Sequence, residues 1–429
     1  MLTNEVNIKK TTASSVVVPF YLYASIAFLI ATILLFISTD SFSVHYFQPK
    51  LLAITHVMAL GWGTMIILGA SHQLVPVIIE GRLYSENLAK TSFLLAAIGI
   101  PLLCYGFYFF NVGVYTQLGG ILTIGAILSY LINLGITIQK SKSENIHALF
   151  IFASVLWLAL TAIFGLFLLI NFTQHLLPKN SLHYLSLHAH IGIVGWFLQL
   201  IIGVGSRLIP MFIISKYTNP KLLGWIFVLI NFSLIIFVYC FLTNKMGYVL
   251  LLPSFGLVIG IILFAIYCYK TVKERIRKKI DGPLQISLAT VVLMFLSVII
   301  LLILIASTIT FVKVLNPNLV LAYGFMIFFG WITSIILGMT FKTLPFIIWN
   351  KVYHGKILNG KSPSPKSLFS ELLFKQMFYT YFFGMILFFI GVISGIIWVL
   401  NGGAIFLILT AVFYNINVFK VVFHKSKTI

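Results

Sequence analysis

THVMALGWGTMIILGASHQLVPVI, residues 55–78, returns twice in altered form: AHIGIVGWFLQLIIGVGSRLIPMF at 189–212 and GFMIFFGWITSIILGMTFKTLPFI at 324–347. Laid over one another, the three stretches align Gly61 with Gly195 and Gly330, and Trp62 with Trp196 and Trp331. Gly69, Gly203 and Gly338 fall in a third column, and Pro76, Pro210 and Pro345 in a fourth. Matched columns at a near-constant spacing mark an internal repeat, and a repeat decides the fold before any motif does. Each stretch is apolar over a length that crosses roughly 30 Å of hydrocarbon as a helix. The three are the second, sixth and tenth apolar blocks of the chain, so the repeating unit is four helices. An even number of crossings returns the chain to its starting side, so the units keep one orientation. Three such units imply a pseudo-three-fold axis along the membrane normal.

Working outward, the remaining blocks complete an all-α membrane protein of about twelve transmembrane helices. They run near 16–38, 51–79, 91–110, 114–138, 147–171, 183–213, 221–242, 248–270, 284–312, 318–348, 370–399 and 402–422. The repeat units are then about 16–140, 147–272 and 284–424, within a single transmembrane domain, 1–429. Composition agrees: 60% of residues are apolar and 8% charged, too few charges to cover a water-soluble fold of this size. No run of alternating ten-residue strands appears, which excludes a β-barrel. Met1 to Lys10 is polar and the apolar stretch after it is too long for the core of a cleavable signal, so it reads as the first span. The long connector, 349–370, carries Lys-Ser-Pro-Ser-Pro-Lys and reads as an exposed loop.

Charge supports the count. With the N-terminus inside, the inner loops and tails collect Lys9, Lys10, Arg82, Lys90, Lys140, Lys142, Lys216, Lys221 and the basic run from Lys270 to Lys279. Lys351, Lys356, Lys361, Lys366, Lys420, Lys425 and Lys427 join them, while the outer loops hold only Lys50, Lys179, Lys245 and Lys313. This is the positive-inside pattern, and it places both termini in the cytoplasm, in a bacterial-type inner membrane. The net charge of +20 is a topology signal with a share for anionic lipid; spread over many short loops, it excludes nucleic acid as a partner. The repeated glycines suit inner helices packed closely around the axis, and the prolines sit near the cytoplasmic helix ends, where a bend is tolerated.

Twelve spans in three four-helix units resemble subunit I of the haem-copper oxidase superfamily. The second span is the most specific: His56, then Gly61-Trp62-Gly63, then Gly69-Ala-Ser-His-Gln-Leu-Val-Pro76. It is similar to the corresponding span of the nitric oxide reductase-like branch. There, the early histidine is an axial ligand of a low-spin haem b, so the resemblance implies that role for His56. It also implies other respiratory-complex subunits and a cytochrome or quinol electron donor as partners. Haem- and copper-containing membrane proteins of the NnrS type, which act in nitric oxide metabolism, are a functional analogue.

The departures are as informative. The family's copper-ligating histidines on the sixth and seventh spans include an adjacent pair, yet the seventh span here, KLLGWIFVLINFSLIIFVYCF, has no histidine. The family's tenth span carries haem ligands, yet LAYGFMIFFGWITS has none. No ligand set for a binuclear centre is recognisable.

What remains is a group of histidines at the outer ends of the second and sixth spans. His190 is the repeat equivalent of His56, and Phe325 stands in the third copy. Two imidazoles at matching depth on neighbouring inner helices suit one haem iron, as haem b, or one copper ion. His183, seven residues before His190, is expected on the same helix face and is a further metal-ligand candidate; His188 is another, though it is expected to point elsewhere. His175, in the preceding loop, is placed to supplement a metal site. Against each stands the plainer reading that an intramembrane histidine hydrogen-bonds a neighbouring helix. His72 lies about 160° around the helix from His56 and reads as structural. The three tryptophans read as packing, and Arg207 and Lys342, in one column with Gln73, read as snorkelling cations.

Other chemistries are discounted. The acidic residues all fall in loops, tails or span ends, whereas a proton pump needs carboxylates inside the membrane. Cys104, Cys240 and Cys268 are isolated and form neither a haem-attachment motif nor a disulfide framework. Two function classes survive: a haem-binding redox or respiratory protein, and a cofactor-free transporter or assembly scaffold of the same fold.

Overall fold

The computed structural model describes residues 12–141, 145–245, 247–310, 316–353 and 363–426, with the side chains of Thr308 and Thr310 excepted. Met1 to Lys10, Lys142, Glu144, Lys313, Lys356, Lys361, Lys427 and the 354–362 part of the long connector lie outside the described residues. Among them, 12 helices are long and apolar enough to cross a membrane. They are α1 (Ser14–Ile37), α2 (Pro49–Ile78), α3 (Glu86–Tyr108), α4 (Val114–Gln139), α5 (Ile146–Gln174) and α6 (Leu185–Ile213). The second half holds α7 (Pro220–Leu242), α8 (Tyr248–Lys273), α9 (Gly282–Ser307), α10 (Pro317–Tyr353), α11 (Glu371–Ser394) and α12 (Ile397–Val422). The chain is a multi-pass membrane protein.

Burial sorts these helices into an inner set and an outer set. In α2, α6 and α10, 67%, 72% and 67% of the most apolar window is buried, against at most 50% in the others. The repeat helices are therefore the inner bundle. All three contain a π-helical segment at the same register: Val57–Thr64, Ile191–Leu198 and Met326–Ile332. Each begins directly after the column of His56, His190 and Phe325. A π turn inserts an extra residue into the ladder and re-aims the side chains beyond it. The third segment is kinked at Gly330, at φ −85° and ψ −106°, and just beyond it the Thr333 hydroxyl donates to the Phe328 carbonyl, 2.6 Å away.

Indole hydrogen bonds tie the inner helices together. Trp196 Nε1 donates to Thr64 Oγ1 and Trp62 Nε1 to Thr333 Oγ1, each at 3.1 Å. The acceptor column is thus Thr64 and Thr333, with Leu198 in the copy that has no hydroxyl.

The column of Gly69, Gly203 and Gly338 does not face the axis, as the sequence suggested, but faces the first helix of its own repeat. A Cβ on Gly69 would lie 2.5 Å from Phe20 Cβ of α1, and one on Gly203 would lie 2.4 Å from Phe150 Cβ of α5. On Gly338 it would meet Pro283 and Ser287 of α9. The axis is instead filled by larger side chains, and the glycines admit the helix that must pack behind them.

The outer helices start where the polar caps dictate. Ser85, Asn219 and Ser370 cap α3, α7 and α11, accepting from Leu88, Leu222 and Leu373 N–H groups. Asn133 of α4 clasps the Ser85 backbone on both sides, and Asn417 of α12 does the same to Ser370. The α11–α12 turn falls at Gly395, in the left-handed region at φ 71°, several residues before the break that hydropathy suggests. Ile396 to Trp398 are apolar and hide it, whereas a glycine at this helix end fits the cap.

At the proline end of the bundle Lys342 forms an ion pair with Asp281, which also meets Arg277 at 3.7 Å. Lys342 is therefore a paired cation, not one that only snorkels.

Candidate functional site

At the opposite end, where α2, α6 and α10 begin, lies a cavity of about 1050 Å³. Its walls come from α2, α3, α4, α5, α6 and α10, and most of them are apolar. Lys179, Asn180 and His183 are exposed at its mouth, and Thr64, Trp196 and Phe329 are buried at its floor. The floor thus coincides with the π segments and the indole bonds.

His56, His183, His188 and His190 all line this cavity. His56 Nδ1 lies 2.8 Å from the Leu52 carbonyl, one turn back. A carbonyl only accepts, so the proton sits on Nδ1 and the Nε2 lone pair is left for another partner. His190 repeats this arrangement, with Nδ1 2.8 Å from the Ser186 carbonyl. Its Nε2 is already engaged: the Tyr323 hydroxyl of α10 lies 3.3 Å away, with the two rings inclined by 22° and their centres 5.9 Å apart.

The ring facing His56 is that of His188, not that of its repeat equivalent His190. The His56 and His188 centroids are 6.4 Å apart with planes inclined by 18°. Phe107 braces His56 at 4.6 Å, and Gly165 makes room for His188, since a Cβ there would lie 2.8 Å from His188 Cε1. The Nδ1 atom of His188 is buried and has no hydrogen-bond partner.

The repeat explains why His188 points at His56. In column terms, His56 meets the residue two before the equivalent histidine of the next unit, and His190 does likewise with Tyr323. The column two residues upstream reads Ile54, His188, Tyr323. His188 was already a candidate from the sequence, though expected to point elsewhere, and the column it shares with Tyr323 is the signal that singles out Tyr323 as well; Gly165 and Lys179 had no such signal.

His183 does not share a helix face with His190. It sits in the turn ahead of α6, its Nε2 3.3 Å from Lys179 Nζ. Desolvation first, and the Lys179 cation second, hold its imidazole below the ordinary value. His175 is exposed at the end of α5, in the left-handed region at φ 50°, and does not line the cavity. His72 is buried near the other end against Phe20 and Tyr130, each ring at 5.4 Å. Among the described residues, no three His, Cys, Asp or Glu side chains converge on one point.

No family model and no curated protein matches the sequence. Among solved structures the chain is similar to a haem-copper terminal oxidase, determined as a dimer by cryo-electron microscopy. The TM-score is 0.67 at 12% identity, over 96% of this chain and 84% of that one. The twelve-helix fold implied by the resemblance to haem-copper oxidase subunit I is therefore the fold of this chain.

Proposed function

We propose that this protein holds a b-type haem in the histidine-end cavity and serves electron transfer or the handling of nitric oxide or oxygen in a respiratory membrane. The observation that carries the reading is the cavity itself: apolar walls, a cationic mouth, and imidazoles from two repeats within one space. A bound haem supplies one-electron chemistry at its iron. The chain's own residues do the rest. His56, with its Nδ1 proton tied to Leu52, would offer Nε2 to the iron, and one α6 histidine would be the second protein ligand. The apolar walls exclude water. Lys179, for which no carboxylate partner is found among the described residues, suits the haem's carboxylates.

The residues fit one axially held haem. They do not fit a three-imidazole copper centre beside it, because no such cluster forms among the described residues. Copper is therefore the lesser candidate, and electron delivery falls to a cytochrome, a quinol or a partner subunit. We place the chain in a bacterial-type inner membrane with both termini cytoplasmic, on the strength of its basic loops.

The test is the haem content of the purified chain, expressed with ample haem and measured as the pyridine complex. One haem per chain is expected. A chain that folds and carries none overturns the reading in favour of a cofactor-free transporter or scaffold.

A further inference from the structure

We infer that the axial pair is His56 and His188, joining the first and second repeats, while His190 is withheld from the iron by Tyr323. The inference rests on the haem reading above and goes beyond it, since repeat equivalence alone pairs His56 with His190.

Three observations carry it. The first is availability. His190 has both ring nitrogens in use, Nδ1 on the Ser186 carbonyl and Nε2 on the Tyr323 hydroxyl. His56 has only Nδ1 engaged, and His188, beside the Thr161 carbonyl, keeps a buried Nδ1 that makes no hydrogen bond. A buried polar atom left unsatisfied is destabilising, a cost that ligation of a metal removes.

The second is spacing. Two metal–imidazole bonds of about 2.0 Å each, extended by the ring radii, put ring centres about 6 Å apart. The His56 and His188 centroids are 6.4 Å apart, with the rings 18° from parallel. No other pair of cavity histidines has a ring contact of this kind among the described residues.

The third is the care with which the two rings are held. Leu52 fixes the His56 tautomer, Phe107 packs against its ring, and Gly165 gives up a side chain where His188 stands. Such outer partners are how a protein orients metal ligands. The equivalent His190–Tyr323 pair is likewise near-parallel, at 22° and 5.9 Å between ring centres, but its hydrogen bond closes it.

The test uses the full-length chain, purified with its haem, in four forms: wild type, His56→Ala, His188→Gly and His190→Phe. Absorption and electron paramagnetic resonance spectra report the ligation state without any activity assay. His190→Phe is expected to keep the six-coordinate low-spin spectrum. His56→Ala and His188→Gly are expected to lose it, and exogenous imidazole to restore it in His188→Gly, a rescue that a merely structural role would not give. His188→Met guards against poor folding of the glycine variant: a thioether ligand shifts the α-band and raises the midpoint potential, provided position 188 is a ligand. Loss of the low-spin signal in His190→Phe, with the spectrum intact in His188→Gly, overturns the inference and returns the pair to His56 and His190. A wild-type chain without haem is a different result, and it removes the haem reading itself.

Discussion

Trp196 reaches across from one repeat to the next and donates its indole N–H to Thr64 Oγ1 at 3.1 Å. Trp62 does the same to Thr333, and the cycle breaks where Leu198 replaces the hydroxyl. Thr64 and Trp196 are both buried, so loss of the bond leaves a buried donor. Thr64→Val and Thr333→Val are each expected to lower stability by about 1–3 kcal/mol. Thr64→Ser, which keeps the acceptor, should stay close to wild type. Thermal unfolding in a single detergent distinguishes them; a Thr64→Val midpoint equal to that of Thr64→Ser would show that the bond contributes nothing.

The repeated glycines predict a second contrast. Gly69→Ala and Gly203→Ala drive a methyl into Phe20 and Phe150, at a cost of about 1–3 kcal/mol each. Gly224 of α7 has open space where its Cβ would be, so Gly224→Ala is expected to be neutral or stabilising by up to about 1 kcal/mol. The yield of monodisperse protein and its melting midpoint check both. A tolerated Gly203→Ala would mean that α5 does not approach α6 as closely as described.

At the other end of the bundle, Asp281 and Lys342 form an asymmetric pair for mutation. Asp281→Asn leaves the Lys342 ammonium mostly buried beside Arg277, and is expected to destabilise the protein by up to about 3 kcal/mol. Lys342→Met removes the cation along with the need for its partner, and should cost much less. Equal melting midpoints for the two variants would show the pair to be solvated and weak.

Much of this architecture could be read from one recurring stretch of sequence. Gly-Trp columns, apolar length and the basic loops led to twelve helices and the inner position of α2, α6 and α10. The π segments were not legible. Their residues are as apolar and helix-compatible as those around them, and only the tertiary bonding of the inner bundle selects the wider turn. An angular count along an unbroken helix, such as the one that related His72 to His56, therefore misses by about one residue, or about 100°.

The candidate site was half legible. His56 was found from its own motif, and His190 from its repeat equivalence. Facing, however, is set by how neighbouring helices are rotated about the axis, and this brings the column two residues upstream into play. That rotation places His188 opposite His56 and Tyr323 opposite His190. His183 was misplaced for a local reason: the chain turns through Asn180 to Tyr184 before α6 begins, so a helical seven-residue spacing does not apply to it.

The measurement that bears most directly on the account is the reduced-minus-oxidised absorption spectrum of the purified wild-type chain, recorded with and without carbon monoxide. An iron held on both faces by His56 and His188 gives the α-band of a b-type haem, and carbon monoxide leaves that band in place. A band that shifts with carbon monoxide would mean an open iron face and would contradict the two-imidazole site.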